Sequence, residues 1–327
     1  MDLQLVQKAK TYTKSEDFKL SVKKSENKVK NFFLNLVIII ILIGTSFVIL
    51  SPIIGLISDS FMPLEDFYNP LIYLIPENPN AQNLITAFQQ IDYPKSLAIS
   101  LGFSVVIMLL QAFICSFVGY GFARFDFPGN KILFALVVLT IVVPVQTIMV
   151  PLYTQFRGFD IFGIISLISG KPLNLINTPY PLLLMTITGM GLRSGLFIYI
   201  FRQFFKGLPK ELESAAFIDG AGTFYTYFFI MLPNAIPSII TVMLFALVWQ
   251  YNDVFFSSLF MENMGFLSVK LTTLASKLSA QLQIRDPNQV KLIISSGVLL
   301  TILPLVVIYL FLQKYFMEGI ERSGIVG

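Results

Sequence analysis

Residues 209–233 read PKELESAAFIDGAGTFYTYFFIMLP and lie between two long apolar runs. Pro209 suits the first turn of a helix, Glu211 and Glu213 fall near the positive end of its dipole, and Ala215-Ala216 continue it with good propensity. Asp219-Gly220 then breaks that helix. Gly220 permits a positive φ or a close backbone approach, and Asp219 can cap the next segment. That second piece, Thr223 to Leu232, is aromatic and apolar and ends at Pro233. A helix, a sharp turn and a second helix, lying at a membrane face and re-entering at Pro233, are expected.

Working outward, the flanking runs belong to a chain that is apolar throughout. Of its 327 residues, 55% are hydrophobic, 13% are charged and none is histidine, and the mean hydropathy is +0.75. A soluble domain does not carry such a composition. Runs meeting the ~20 residues that a ~30 Å hydrocarbon layer requires occur near 33–57, 97–120, 132–154, 181–205, 236–258 and 292–313, which predicts an all-α integral membrane protein of six spans. The first run is longer than the roughly 7–15 apolar residues of a cleaved leader and comes after a Lys-rich stretch, so it reads as a retained span. The chain then divides into a Lys-rich tail, 1–31, and a transmembrane domain, 32–327, with the opening stretch inside a loop at 206–235. The tail reads as solvated and partly disordered, contact with anionic lipid being the other reading.

Lysine and arginine set the orientation. With the N-terminus inside, fifteen of the 23 fall in cytoplasmic segments and seven in outer loops (Lys95, Arg157, Lys171, Lys270, Lys277, Arg285, Lys291), leaving Arg193 within a span. The positive-inside rule therefore places both termini, and the 206–235 loop, in the cytoplasm of a multi-pass protein of the plasma (cytoplasmic) membrane. The net charge of +4 is a topology signal and gives no footprint for nucleic acid.

A polar surface helix that presents small residues beside a turn is shaped to enter a groove on a partner. Glu213-Ser214-Ala215-Ala216, then Asp219-Gly220-Ala221, then Ile230-Met231-Leu232-Pro233 and Pro237 resemble the EAA loop of ATP-binding-cassette importer permeases. The resemblance implies a type I importer permease fold in which this loop is a coupling helix docked on a cytoplasmic ATPase, with Glu213 through Ala216, Asp219 through Ala221, Leu232 and Pro233 as coupling residues. Ser214 departs from the glutamate frequent there. Tyr120-Gly121-Phe122-Ala123-Arg124, Phe127-Pro128-Gly129, Val143-Pro144, Phe201-Arg202-Gln203, Trp249-Gln250-Tyr251-Asn252-Asp253 and the tail from Gln313 to Gly327 are similar to the carbohydrate, maltose-G-like branch of the binding-protein-dependent transport inner-membrane components. The likeness implies one permease of a heterodimer, working with a second permease subunit, two ATPase subunits that hold ATP and Mg²⁺, and an extracytoplasmic solute-binding protein docked on outer loops near 58–95, 155–180 and 259–290.

Inside the spans, Pro144 and Pro151 remove backbone donors and predict a kink, either lining a pathway or adding packing curvature. Gly189, Gly191 and Gly195 read as close helix packing. Arg193 is the charge placed near mid-span, with no Asp, Glu or His at that depth to neutralise it. Carbonyls, a side-chain amide such as Gln111, water or a solute are its available partners, and it reads as pathway-lining or structural. Trp249, Tyr251 and Asn252 can stack on or hydrogen-bond a sugar, or anchor a span end.

Catalytic machinery is missing. No G-x-x-x-x-G-K-[ST] run occurs, so ATP is not bound by a phosphate loop of this chain and no cofactor of its own is expected. Cys115, the single cysteine, excludes an internal disulfide and a Cys/His metal site. Without histidine there is no triad, and the chain is not read as an enzyme. The expected function is the permease of an ATP-driven, binding-protein-dependent carbohydrate importer working by alternating access. Alternatives are a secondary transporter without an ATPase, a membrane scaffold, and an importer permease for glycerol-phosphate or polyol.

Overall fold

The computed structural model describes residues 3–324, with side chains for 30–311 and 313. Residues 1–58 and 59–327 form two compact units. Ile325–Gly327 of the tail signature, and the side chains of the Lys-rich tail, lie outside the described residues.

Leu3–Phe61 is one helix. The Lys-rich stretch expected to be partly disordered is thus helical from Leu3: it holds neither Gly nor Pro before Gly44, and a helix already nucleated elongates at little cost. Every residue from Asn31 to Leu50 is exposed, so in the first unit this segment is apolar all round, as a lipid-facing or partner-facing helix is.

In the second unit the Tyr93–Arg124 helix is central, packed against Ser194–Gly207 and Ile236–Tyr251. Its composition is inverted relative to a soluble helix. Ser96, Ser100, Ser104, Ile107, Gln111, Cys115 and Gly119 are buried at three-to-four-residue spacing, while Val105, Leu109, Phe113 and Phe117 face outward. Small and polar residues inside let backbones approach closely, and apolar residues outside suit lipid. At Gly119 a Cβ would lie 2.6 Å from the Cβ of Phe201 and 3.0 Å from the backbone nitrogen of Arg202. A cluster of Tyr120, Phe197, Phe201, Phe205, Tyr227 and Met231 fills this junction. The long Pro287–Gly324 helix packs on Ile236–Tyr251 and on Gln82–Gln90.

Among the described residues the secondary structure is helical with no strand, apart from an isolated bridge between Phe159 and Leu173. Three helical stretches are long and apolar enough to cross a membrane, Lys30–Phe61, Tyr93–Arg124 and Pro287–Phe311, and up to five if each of two bent pairs is one span. The first pair turns by 102° between Asn130–Val142 and Val145–Arg157. Pro144 marks that break, whereas Pro151 sits in the first turn of Met149–Arg157, where its missing N–H costs nothing, so the kink expected of both belongs to Pro144 alone. The run at 181–205 is not one continuous helix. Tyr180–Ile187 and Ser194–Gly207 are separated by 188–193, because Gly189 (φ +75°) and Arg193 (φ +61°) adopt left-handed backbone that an α-helix does not admit.

Candidate functional site

Glu211–Ile218 is the helix anticipated from the opening stretch, with Lys210 at its N-cap. Ala216 is its buried residue, while Ser214, Ala215, Phe217 and Ile218 are exposed, Ile218 by 85%. The helix closes in a Schellman turn: the Ala221 N–H donates to the Ala216 carbonyl at 2.9 Å and the Gly220 N–H to the Phe217 carbonyl at 3.1 Å. Gly220 has φ +83°, and a Cβ there would meet nothing within 4 Å. The turn therefore requires glycine for backbone conformation and not for close approach. Asp219 is the C-cap of this helix and does not cap the next one, which starts after Gly222 without a side-chain cap. Its backbone is already committed to the preceding turn.

The segment beyond the turn is helical from Thr223 to Asn234, widens to a π-helix over Tyr227–Met231, and meets Ile236–Tyr251 at 77°. Pro233 explains the widening, since its ring crowds the carbonyl four residues back and a π-turn relieves the clash. Tyr227 and Met231 are buried, Leu232 packs on the same cluster, and Pro233 is exposed. The hydroxyls of Tyr227 and Ser116 are 2.8 Å apart.

Glu213 points into the protein. The Tyr120 hydroxyl donates to its Oε1 at 2.8 Å, and the Nε of Arg124 stands 3.4 Å from its Oε2. Arg124 also donates from Nη2 to the Leu208 carbonyl at 2.7 Å. The Arg124 and Glu213 side chains are 5% and 12% exposed. Of the loop residues singled out from the sequence, Glu213 and Ala216 thus face the permease core, and Ser214, Ala215, Asp219 and Gly220 face outward.

A cavity of about 360 Å³ opens where the broken helices meet, lined by Thr140, Pro144, Gln146, Arg193, Ser194 and Asp253 among others. Arg193 is the residue before the Ser194–Gly207 helix, and its carbonyl accepts from the N–H groups of Leu196 and Phe197. Its guanidinium stands 5.4 Å from the centre of the Trp249 ring, which stacks in turn on Phe197 and Phe245. Among the described residues no carboxylate lies within ion-pair distance of it. Asp253 lines the same cavity, without an ion pair to Arg193 among the described residues. The Ile236–Tyr251 helix ends before Asp253, and the turn brings that carboxylate back to accept from the Ser257 N–H at 2.8 Å and hydroxyl at 2.9 Å. Ser194 is 2% exposed, and its hydroxyl has no hydrogen-bond partner among the described residues.

The other pathway candidates separate. Asn252 lines a smaller adjoining cavity with Trp249 and Arg193. Gln111 and Tyr251 do not line either one: the Gln111 amide donates to the Leu192 carbonyl at 2.6 Å and the Tyr251 hydroxyl to the Thr301 carbonyl at 3.0 Å. Gln111 holds the break at 188–193, against which Gly191 is also pressed, a Cβ there meeting the Thr186 hydroxyl at 2.7 Å. Ser194 and Asp253 in the cavity, and Tyr120 and Arg124 behind the loop, carried no site role in the sequence, Asp253 standing there only as the end of the Trp249–Asp253 signature. Tyr120 and Arg124 were visible only as parts of a span-exit signature, and Ser194 only as the neighbour of Arg193.

Outward-facing apolar helices, a turn-built surface loop and a cavity at helix breaks together define a polytopic transport permease. Residues 111–322 match the family described as Binding-protein-dependent transport system inner membrane component, and the chain belongs to that family. It is 28% identical over 287 residues, 86% of this chain and 93% of the relative, to the arabinooligosaccharides transport system permease protein AraQ of Halalkalibacterium halodurans. Over 260 residues, 78% of this chain and 84% of the relative, it is 26% identical to the melibiose/raffinose/stachyose import permease protein MelC of Bacillus subtilis. In fold it is similar to a chain in the crystal structure of a bacterial ABC transporter involved in the import of the acidic polysaccharide alginate, with a TM-score of 0.64 at 17% identity, covering 87% of this chain and 96% of that one.

Proposed function

We propose that the chain is one of two permease subunits of an ATP-driven, binding-protein-dependent carbohydrate importer. The observation that carries this reading is the Glu211–Ile218 helix, set off by the left-handed Gly220 and presenting Ala215, Phe217 and Ile218 outward as a docking face. Family membership and the sugar-importing relatives support it. In this reading both termini are cytoplasmic, and Tyr180–Ile187 with Ser194–Gly207 makes a broken crossing that brings the spans to six. Two ATPase subunits bind ATP and Mg²⁺, and a solute-binding protein delivers a sugar to the outer face. Alternating access results when ATP-driven closure of the ATPase pair pushes the docked loop helices and the spans re-orient around the cavity.

In that cavity Arg193 supplies donors and the Ser194 hydroxyl an unused polar group, while Trp249 walls the smaller cavity beside it. About 360 Å³ is at the small end of ligand sites and suits one or two sugar rings at a time. The test is purification of the tagged chain from its native membrane. Co-purification of an ATPase subunit, with ATP-dependent sugar uptake in proteoliposomes, is the expected result. Uptake driven by an ion gradient with no ATPase present would overturn the reading.

A further inference from the structure

We propose that Glu213, Arg124 and Tyr120 form a buried latch that carries displacement of the loop helix into the Tyr93–Arg124 helix. This rests on the importer reading and adds to it a role for positioning residues on the side of the loop helix away from its docking face. The eight-residue loop helix buries a single alanine, Ala216, so apolar area alone grips it weakly. Its polar grip is specific. The Tyr120 hydroxyl donates to one Glu213 oxygen, the buried Arg124 Nε faces the other as an ion pair at 3.4 Å without a hydrogen bond, and Arg124 reaches across to the Leu208 carbonyl at the chain's entry to the loop. Both residues that hold Glu213 lie in the last turns of the Tyr93–Arg124 helix.

Such a pair is well suited to transmission. Opposite charges shielded from water attract strongly, and parting them leaves each uncompensated, so the loop helix and the span end are constrained to move together. The span end is in turn clamped: at Gly119 the backbone meets Phe201 and Arg202 with no room for a side chain, and Tyr120 packs edge-on against Phe205 and lies beside Tyr227. A push on the exposed side of the loop helix thus reaches the helices that border the cavity. Glu213 is spent on this internal contact and is not part of the docking face.

Two readouts on the complete transporter test the proposal. Trypsin cleavage after Lys206 and Lys210 reports how tightly the loop is held, and ATP-driven uptake reports transmission. Glu213→Gln and Arg124→Gln are each expected to speed cleavage and lower uptake by about tenfold, with ATPase subunits still co-purifying. The double variant is expected to be no worse than either single one, and Glu213→Asp to recover part of the loss, since the residues act as one unit. Cleavage unchanged in both single variants overturns the latch. Faster cleavage with full uptake, or strictly additive losses, overturns its role in transmission. A wild-type chain that brings down no ATPase overturns the importer reading and transmission with it, while the cleavage comparison still reads the latch.

Discussion

Gly220 and Glu213 sit seven positions apart in the opening stretch and differ in how far the sequence discloses them. A glycine after a short alanine-rich helix announces a left-handed turn, and the backbone has φ +83° there. No neighbour crowds it, so Gly220→Val strains the backbone alone, by about 1–2 kcal/mol. We expect that variant to reach the membrane at near-normal abundance and to lose uptake, and Gly220→Asn, which tolerates left-handed backbone, to retain much of it. Immunoblotting beside radiolabelled-sugar uptake checks both. The direction of Glu213 was not legible, because eight residues do not disclose which face of their helix turns inward. Arg193 was visible as a charge inside an apolar run and Asp253 as the end of the Trp249–Asp253 signature, but their meeting at one cavity depends on helix ends that hydropathy does not mark. Arg193→Leu is expected to raise the KM for uptake or shift preference across a sugar panel while leaving ATPase assembly intact. Unchanged kinetics would assign Arg193 to structure.

At the scale of elements, apolar runs located the helical segments but not their breaks. Hydropathy sums the cost of residues in lipid, whereas a break depends on backbone conformation at one or two positions, such as Gly189 and Arg193 in the 181–205 run. Pro144 and Pro151 look alike in sequence, and only the helix start at Met149 separates their consequences. Trp249 and Tyr251 are equally close in sequence and part in the structure, one at the cavity and the other bonded to Thr301 on the last helix. Tyr251→Phe should therefore lower the transporter's thermal stability by about 1–2 kcal/mol, the cost of an unpaired buried carbonyl, with substrate preference unchanged. Trp249→Ala should do the reverse, weakening uptake affinity. Thermal unfolding and uptake competition measured side by side distinguish them, and equal behaviour of the two variants would count against the assignment.

For the whole molecule, the family was legible from the loop and the span-exit residues because turn chemistry and small-residue packing leave fixed residue types at fixed spacing. Which surfaces meet partners was not, since apolar side chains suit lipid and a second permease alike. Ile218, 85% exposed on the loop helix, is the centre of the proposed docking face. The most direct measurement places a photoreactive amino acid at position 218 in the native transporter and identifies the crosslinked product by mass spectrometry. An adduct with the nucleotide-binding subunit is expected, lost when Gly220 is replaced by Val. A fully assembled, transporting complex in which position 218 crosslinks only to lipid or to this chain would contradict it.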